Sequence, residues 1–481
     1  MHDPFHTLQV THRSGAVTAG GTFVAIKGQV VDGVDYIVEA VQRGARKIVV
    51  AEGSIIPTAG RAAILAHGVE LVFVPNTRYA LAELSAHAYG YPATSLTLIG
   101  ITGTKGKTTV SWLTYHILRH AGIAVALLST ILNRIGDDIY STELTTQHPD
   151  YIHAFLRQCV DRGITHVVIE VAAQAVTLHR IVGLSFARIV WLNFSQEHGE
   201  FYPTEAEYYA AKAGLLSFID QQCGMIVLNG DDSRIASCAQ NQQVPVLVIQ
   251  RSAILLPPYA HSSKHDLKNL SAMPDWLSIS CEYEGMRYVC SGLTGTYNGE
   301  NVLAAVMLAR SLFVAPEAIA HSLKTFSGVP GRMNMYRLPH DGWACIDYAH
   351  NPSSFIGILQ ELRARASRII VIFGCGGNRD PQKRPVMGLI ATQYADYVIV
   401  TTDNPRYEDP QHIVQDIMAG IPPEAMDRVT CIADREMAIK HAYALSDRNT
   451  IIALLGKGPN EYQLVNGIKY PLSERMIIQG L

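Results

Sequence analysis

The segment that most restricts how this 481-residue chain can fold lies between residues 96 and 121. A short apolar run, Leu96 to Ile101, leads into Gly103-Thr104-Lys105-Gly106-Lys107-Thr108-Thr109, and an amphipathic stretch of helical length, Thr108 to Ala121, follows. Strand, glycine-bearing turn and helix in that order are half of a βαβ unit, and repetition of the unit builds a parallel sheet covered by helices. The pattern does repeat. Strands are predicted at Ile123 to Ser129, His166 to Val171, Ile189 to Asn193 and Met225 to Asn229, with helices near Asp150 to Arg162 and Glu205 to Ile219.

A second series starts after the turn at 328–332. It comprises Ala344 to Tyr348, Ser353 to Ala366, Arg368 to Phe373, Tyr397 to Thr402, Ile413 to Met418, Arg435 to Leu445 and Ile451 to Leu455. Residues 1–93 form a smaller unit with strand-like Thr22 to Ile26, Lys47 to Ala51 and Leu71 to Val74, and the polar stretch Tyr259 to Asp275 reads as an insertion or loop. The expected class is α/β with three domains, at 1–93, 94–327 and 328–481. With 48% hydrophobic and 17% charged residues the chain can bury several cores.

A formal net charge of −3 gives no broad basic field for nucleic acid or a membrane surface, so any anion must be held by a local site. No segment reaches roughly 18 uninterrupted apolar residues, the N-terminus lacks a basic and then apolar leader, and the eight cysteines include no C-x-x-C pair. A cytoplasmic, monomeric protein with small-molecule partners is expected, binding neither nucleic acid nor membrane.

The loop at 103–109 points backbone N–H groups and the positive end of a helix at a phosphate. Lys107 adds a mobile charge, and Thr108 offers a hydroxyl to Mg²⁺. It reads as an ATP-binding loop, although the generic spacing would want glycine where this chain has Ile101.

Further motifs follow in order: Tyr297-Asn298 with Asn301, Val329-Pro330-Gly331-Arg332-Met333, Ile346-Asp347-Tyr348-Ala349-His350-Asn351-Pro352, Phe373 to Asp380, Lys383-Arg384-Pro385, and Asp403-Asn404-Pro405-Arg406-Tyr407-Glu408-Asp409-Pro410. With the shortened loop Gly-Thr-x-Gly-Lys-Thr-Thr, this set resembles the Mur ligase family over nearly the whole chain, and within it the MurE-type members. The resemblance implies an N-terminal domain that anchors a UDP-linked acid, a central P-loop ATPase-like domain and a C-terminal Rossmann-like domain carrying the incoming amino acid. It also implies an ATP-dependent, ADP-forming carboxylate-amine ligase of peptidoglycan precursor synthesis. Such an enzyme works through an acyl phosphate and adds meso-diaminopimelate to UDP-MurNAc-L-Ala-D-Glu.

Residue by residue, the resemblance assigns Gly103, Thr104, Lys105, Gly106, Lys107, Thr108 and Thr109 to ATP, Asn298 and Asn301 to adenine, and Arg332 and Asp347 to phosphate and ribose. Catalysis falls to Lys107, Glu170, His198 and Lys212. Thr108, Glu170, His198 and Lys212 would serve Mg²⁺, Lys212 as a carbamate. The acid would meet Ser14, Thr145, Thr146 and Arg180. The amino acid would meet Arg379, Asp403, Asn404, Arg406, Gly456, Asn460 and Glu461, with the Arg406 guanidinium suited to a second carboxylate.

Several acid-binding positions depart from the family pattern. Only the serine of an Asp-Ser-Arg motif survives in Arg13-Ser14-Gly15, and Glu170-Val171-Ala172-Ala173 lacks two hydroxyls. After Thr145-Thr146 the usual proline is delayed to Pro149 by Gln147-His148, and Asn460 stands where a glutamate is expected. A relative that ligates another carboxylate outside cell-wall synthesis, and a non-catalytic nucleotide-binding protein, are the alternatives.

Overall fold

A computed structural model describes residues 5–28, 31–142, 144–195, 197, 199, 201–250, 254–255 and 278–481. The proposed insertion at 259–275 and His198 lie outside the described residues. The chain divides into two compact units, one of residues 1–253 with 303–322 and one of residues 254–302 with 323–481.

In the first unit, β1 (Leu8–Thr11), β2 (Val17–Val24), β3 (Lys47–Ala51) and β4 (Glu70–Val74) form a parallel sheet in that order. Helices α1 (Ile37–Gln42) and α2 (Thr58–Ala66) contribute Ile37, Ala40, Val41 and Ile64 to a core against Phe23, Ile48 and Val50. Helix α3 (Thr77–Ala88) starts where the Asn76 side chain accepts from the Arg78 and Tyr79 N–H groups, and it buries Leu81 against Val10, Val24 and Val49.

The larger sheet of the same unit contains β5 (Thr97–Thr102), β6 (Val125–Leu128), β7 (Asn133–Ile135), β8 (Asp138–Tyr140), β9 (His166–Glu170), β10 (Arg188–Trp191), β11 (Met225–Asn229) and β12 (Val246–Ile249). Its order is β12-β11-β10-β5-β9-β6-β7-β8, parallel except for the β6-β7-β8 meander. The accompanying helices are α4 (Lys107–His120), α5 (Pro149–Asp161), α6 (Ala173–Thr177), α7 (Glu205–Ala213) and α8 (Ser233–Ser237). β5 occupies an interior position and is buried from Leu98 to Thr102, with Leu98, Ile99 and Ile101 supplying the apolar run of a strand covered on both faces. Phe5 joins this core, its ring 4.6 Å from Tyr151 and 5.1 Å from Tyr140. A side chain that size, fully buried, contributes roughly 1.5–3 kcal/mol.

The second unit begins with a small antiparallel sheet of β13 (Ile254–Leu255), β14 (Ser278–Tyr283) and β15 (Met286–Ser291). Helices α9 (Thr296–Ser311) and α10 (Pro316–Lys324) follow, their residues 303–322 belonging to the first unit. The main sheet of the second unit consists of β16 (Asn334–Arg337), β17 (Trp343–Asp347), β18 (Arg368–Phe373), β19 (Tyr397–Val400), β20 (Val429–Cys431) and β21 (Thr450–Leu455), ordered β16-β17-β21-β18-β19-β20. All neighbours run parallel except β16 with β17. Its helices are α11 (Pro352–Arg363), α12 (Lys383–Tyr394), α13 (Pro410–Met418) and α14 (Arg435–Leu445). A hairpin of β22 (Tyr462–Val465) and β23 (Ile468–Pro471) and a last helix, α15 (Glu474–Gln479), complete the chain.

One expected helix is shorter than its sequence pattern. The stretch from Glu205 to Ile219 is α-helical only to Ala213 and tightens to a 3₁₀ turn at Gly214–Phe218. A Cβ at Gly214 would stand 2.9 Å from Val176, so glycine allows the close packing on which the helix changes pitch.

Candidate active site

The carboxyl end of β5 opens into the glycine-rich loop. Gly103 has φ +153° and Gly106 φ +85°, conformations that L side chains rarely adopt. A Cβ at Gly103 would also come within 3.0 Å of Leu192 and 3.1 Å of the Lys105 carbonyl. Asn193, just past β10, holds the turn: its carbonyl accepts from Thr104 N–H at 3.1 Å, its Oδ1 from Lys105 N–H at 2.8 Å, and its Nδ2 donates to Lys105 O at 3.1 Å. The Thr104 hydroxyl closes the other side, donating to Ser195 O and accepting from Ser195 N–H. Gly106 caps α4 without any side-chain acceptor, so the helix itself leaves its first-turn N–H groups unsatisfied.

Two lysines converge on this loop. Lys107 Nζ donates to Gly103 O at 2.8 Å and Thr104 O at 3.0 Å, and Lys212 Nζ, from the last turn of α7, donates to the same Gly103 oxygen at 2.8 Å. Lys212 is 1% exposed and lies 4.8 Å from the Tyr208 ring centroid. Burial first, and then the Lys107 charge, push its pKa well below the usual lysine value, with Glu197 opposing.

Glu170 ends β9, beside β5, in register with Ile101. Its Oε2 accepts from Thr108 Oγ1 at 3.0 Å and Thr130 Oγ1 at 2.8 Å, and its Oε1 from Thr130 N–H at 2.9 Å. Complete burial raises its pKa, while these hydrogen bonds and the Lys107 charge pull it down. The Thr108 hydroxyl and Glu170 carboxylate are hard oxygen donors of the kind Mg²⁺ takes, so the donor set fits that ion. No group of three His, Cys, Asp or Glu residues suited to a metal occurs among the described residues.

The residues expected to grip an acid lie in the same unit. Thr146 Oγ1 donates to Glu170 O at 2.8 Å and accepts from Ala172 N–H at 3.0 Å, and the Thr146 carbonyl accepts from Arg180 Nη1 at 2.8 Å. Thr145 Oγ1 lies 3.3 Å from Thr130 Oγ1. Thr145, Thr146 and Arg180 are thereby joined to Glu170. Ser14 is held elsewhere, its hydroxyl donating to Glu39 Oε2 at 2.7 Å.

In the second unit the motif loops gather because their strands do. Asp347, Phe373 and Val400 end the neighbouring parallel strands β17, β18 and β19, and Leu455 ends β21 between the first two. Open α/β sheets bind ligands at such carboxyl ends. Gly456, at φ +105°, donates its N–H to Asp347 O, and a Cβ there would lie 3.0 Å from Asp403 Oδ2. Lys457 is 0% exposed; its Nζ stands 3.3 Å from Asn404 Oδ1 and 3.7 Å from Asp403 Oδ1. Arg406, in the left-handed region at φ +54°, donates Nη1 to Gly377 O at 2.7 Å.

Asn301 Nδ2 donates to Asn298 Oδ1 at 2.8 Å, and Asn298 Nδ2 to Thr294 O at 2.6 Å. Asp347 accepts from Met333 and Ala349 N–H groups, and the Arg332 guanidinium lies 4.9 Å over the Tyr348 ring. Arg379 is exposed, Asn460 donates its N–H to Lys457 O, and Glu461 pairs with Arg475 at 2.9 Å. Asn193 and Thr130 were missing from the sequence-based set. Each is a polar residue just past a strand's carboxyl end, a weak signal that only the neighbouring loop makes meaningful.

Three family models match in succession: "Mur ligase family, catalytic domain" over residues 6–89, "Mur ligase middle domain" over 101–309, and "Mur ligase, glutamate ligase domain" over 331–458. The UDP-N-acetylmuramoyl-L-alanyl-D-glutamate--2,6-diaminopimelate ligase of Aquifex aeolicus is 34% identical over 98% of this chain and 93% of its own length. The enzyme of the same name from Chlorobaculum tepidum is 35% identical over 98% of this chain and 91% of its own. This chain belongs to the Mur ligase family. It is an ATP-dependent Mur ligase whose sheets match the family's N-terminal, middle and C-terminal domains. A solved structure of a UDP-N-acetylmuramoyl-L-alanyl-D-glutamate--2,6-diaminopimelate ligase superposes with a TM-score of 0.63 at 26% identity, covering 99% of this chain and 94% of the other. MurF of Thermotoga maritima in complex with ADP, at 17% identity, shares the fold with a TM-score of 0.63 over 95% of this chain and 96% of its own.

Proposed function

We propose that this Mur ligase activates the acid of UDP-MurNAc-L-Ala-D-Glu with ATP and joins it to the amino group of meso-diaminopimelate. Its working domains are 1–93 for the UDP-linked acid, 94–327 for ATP and 328–481 for the amino acid, and it acts as a monomer in the cytoplasm. The observation that carries the reading is the meeting of Lys107, Lys212, Thr108 and Glu170 around one loop. A carboxylate is a poor electrophile until phosphorylated, and moving a phosphoryl group onto it is chiefly a problem of neutralising charge. Lys107 leaves the loop carbonyls for the phosphates, and the first-turn N–H groups of α4 hold the remaining oxygens.

Thr108 and Glu170, with His198, would hold Mg²⁺, which supplies further positive charge at the transferring phosphoryl group. Lys212 is suited to carbamylation because burial and the Lys107 charge disfavour its ammonium form. The amine adds to CO₂, an N–C bond forms, and a proton leaves. The product is an anion beside Lys107 where an ammonium would be repelled. In the second unit Asp403 and Asn404 would meet the ammonium of the amino acid, and Arg379 and Arg406 its carboxylates. Asn298, Asn301, Arg332 and Asp347 would serve the nucleotide, and Gly456, Asn460 and Glu461 the far end of the amino acid.

The test is ADP formation and a new amide in the purified enzyme with ATP, magnesium, meso-diaminopimelate and a panel of acid acceptors. Turnover is expected only when acid and amine are both present, and UDP-MurNAc-L-Ala-D-Glu is expected to be the best acceptor. Amide formation with another acid alone would overturn the substrate assignment.

A further inference from the structure

Next to Thr146 and Arg180 lies a cluster of side chains to which the ligation chemistry gives no task. Gln147-His148 lengthens the turn before α5, and His148 stands at the helix cap position without accepting from the helix. Its ring packs instead on His12, with centroids 4.1 Å apart, and it has no hydrogen-bond partner among the described residues. His12 is fixed in turn. Its Nδ1 lies 2.9 Å from Asp150 Oδ2, which also accepts from Thr11 Oγ1 at 2.9 Å, and Asp150 is 1% exposed. With Nδ1–H donated to the carboxylate, the His12 ring is held in one orientation.

Two arginines bear on the same place. Arg180, 9% exposed, donates Nη1 to Thr146 O, but its buried Nε has no partner. Arg78 donates Nη2 to Lys27 O at 3.1 Å. Neither arginine has a carboxylate in ion-pair range among the described residues. Burial first, then His12, Arg180 and Arg78, against Asp150, hold the His148 imidazole down to about 3. A buried guanidinium with an empty donor, beside a second cation and a histidine whose protonation burial disfavours most, is a site short of negative charge.

We propose that His148, steadied by His12 and Asp150 and flanked by Arg78 and Arg180, binds an oxyanion of the acid substrate. It takes over recognition that Ala172 and Ala173 cannot supply without hydroxyls. The inference rests on the ligase reading above. It makes His148 a specificity-determining residue and His12 and Asp150 its positioning residues.

The experiment compares wild type with His148→Ala and His148→Gln in steady-state ligation, in thermal melting and in calorimetric binding of UDP-MurNAc-L-Ala, which lacks the glutamate. His148→Ala is expected to raise KM for UDP-MurNAc-L-Ala-D-Glu by about tenfold, with kcat, the other two KM values and the melting temperature little changed, as loss of one charge-assisted hydrogen bond requires. His148→Gln, which keeps a donor, is expected to recover part of the loss. Equal weakening of UDP-MurNAc-L-Ala binding identifies the oxyanion as the diphosphate. Weakening confined to the glutamyl substrate identifies it as a glutamate carboxylate. An unchanged KM in His148→Ala, with wild type active, overturns this inference alone; a wild type that never turns over this acid overturns the ligase reading with it.

Discussion

Lys212 shows at the scale of one residue how a site can cost stability for the sake of chemistry. Its folded pKa lies below that of an unfolded lysine, because burial and Lys107 both disfavour the ammonium. Between those two values the unfolded chain binds the extra proton, so stability rises with pH up to the unfolded value near ~10.4. In CO₂-free buffer at pH 7, Lys212→Met is therefore expected to melt above wild type and to lose that pH slope, while ligation falls by at least about a hundredfold. Added bicarbonate is expected to raise the melting temperature of wild type only. Lys107→Ala is expected to lower phosphate release by about a thousandfold, with Asn193 still holding the loop through its bonds to Lys105. Lys107 and Thr108 were legible in the sequence because a strand, a glycine turn and a helix start fix where such side chains must stand, whereas Glu170 was marked only by the family resemblance. Asn193 was not legible, because its partner Lys105 is 88 residues away and nothing local distinguishes an asparagine that holds a turn from one that faces water.

At the scale of elements, strands buried on both faces were the readable ones. β11, β18 and the helix α14 have the bounds their sequence patterns predict, whereas β1, the β7-β8 hairpin and β22-β23 are short or half-exposed and carry no comparable pattern. The loops between elements needed the structure most. Arg384, 3% exposed at its side chain, pairs with Glu408 and Asp416 at 2.8 Å each, and Glu408 also accepts from Asn378 N–H. These ion pairs tie the first turn of α12 to α13 and to the loop after β19, and the Asn378–Glu408 bond ties that loop, which carries Arg406, to the loop after β18. Arg384→Lys, which cannot span both carboxylates as a fork, is expected to raise KM for the amino acid by about tenfold and leave KM for ATP unchanged. A corresponding tie joins β1 to α5. Burial alone would raise the pKa of Asp150, but His12 and the hydrogen bonds from His12 and Thr11 outweigh it and hold the carboxylate well below its usual range. Its contribution is present above the unfolded value of about 3.9 and is lost as pH falls through the folded one. Asp150→Asn is thus expected to cost about 2 kcal/mol in denaturant melts at pH 7, and the difference from wild type is expected to shrink as the melts are taken to lower pH.

For the whole molecule, the order of elements along the chain is simpler than the division of its cores. Residues 303–322 belong in one compact unit with residues 1–253, although residues 254–302 between them do not. The reason lies in polar groups that no periodicity reveals. Arg188, 9% exposed at the start of β10, donates Nε to Ser311 Oγ at 3.0 Å and Nη2 to Ser311 O at 2.7 Å, and the His116 ring pairs with Ser322 O at 2.8 Å. A fragment ending at residue 253 would strip these partners from a guanidinium in mid-sheet and from α4, the helix that carries Lys107. It would also lack Val306, Met307 and Ala309, all buried in the whole chain. Each unsatisfied buried group costs roughly 1–3 kcal/mol, a large share of the stability of any single domain. Residues 1–327 are accordingly expected to melt cooperatively by circular dichroism, and residues 1–253 to lack a cooperative transition. Cooperative melting of the shorter fragment would mean that the ATP loop is built without help from residues 303–322.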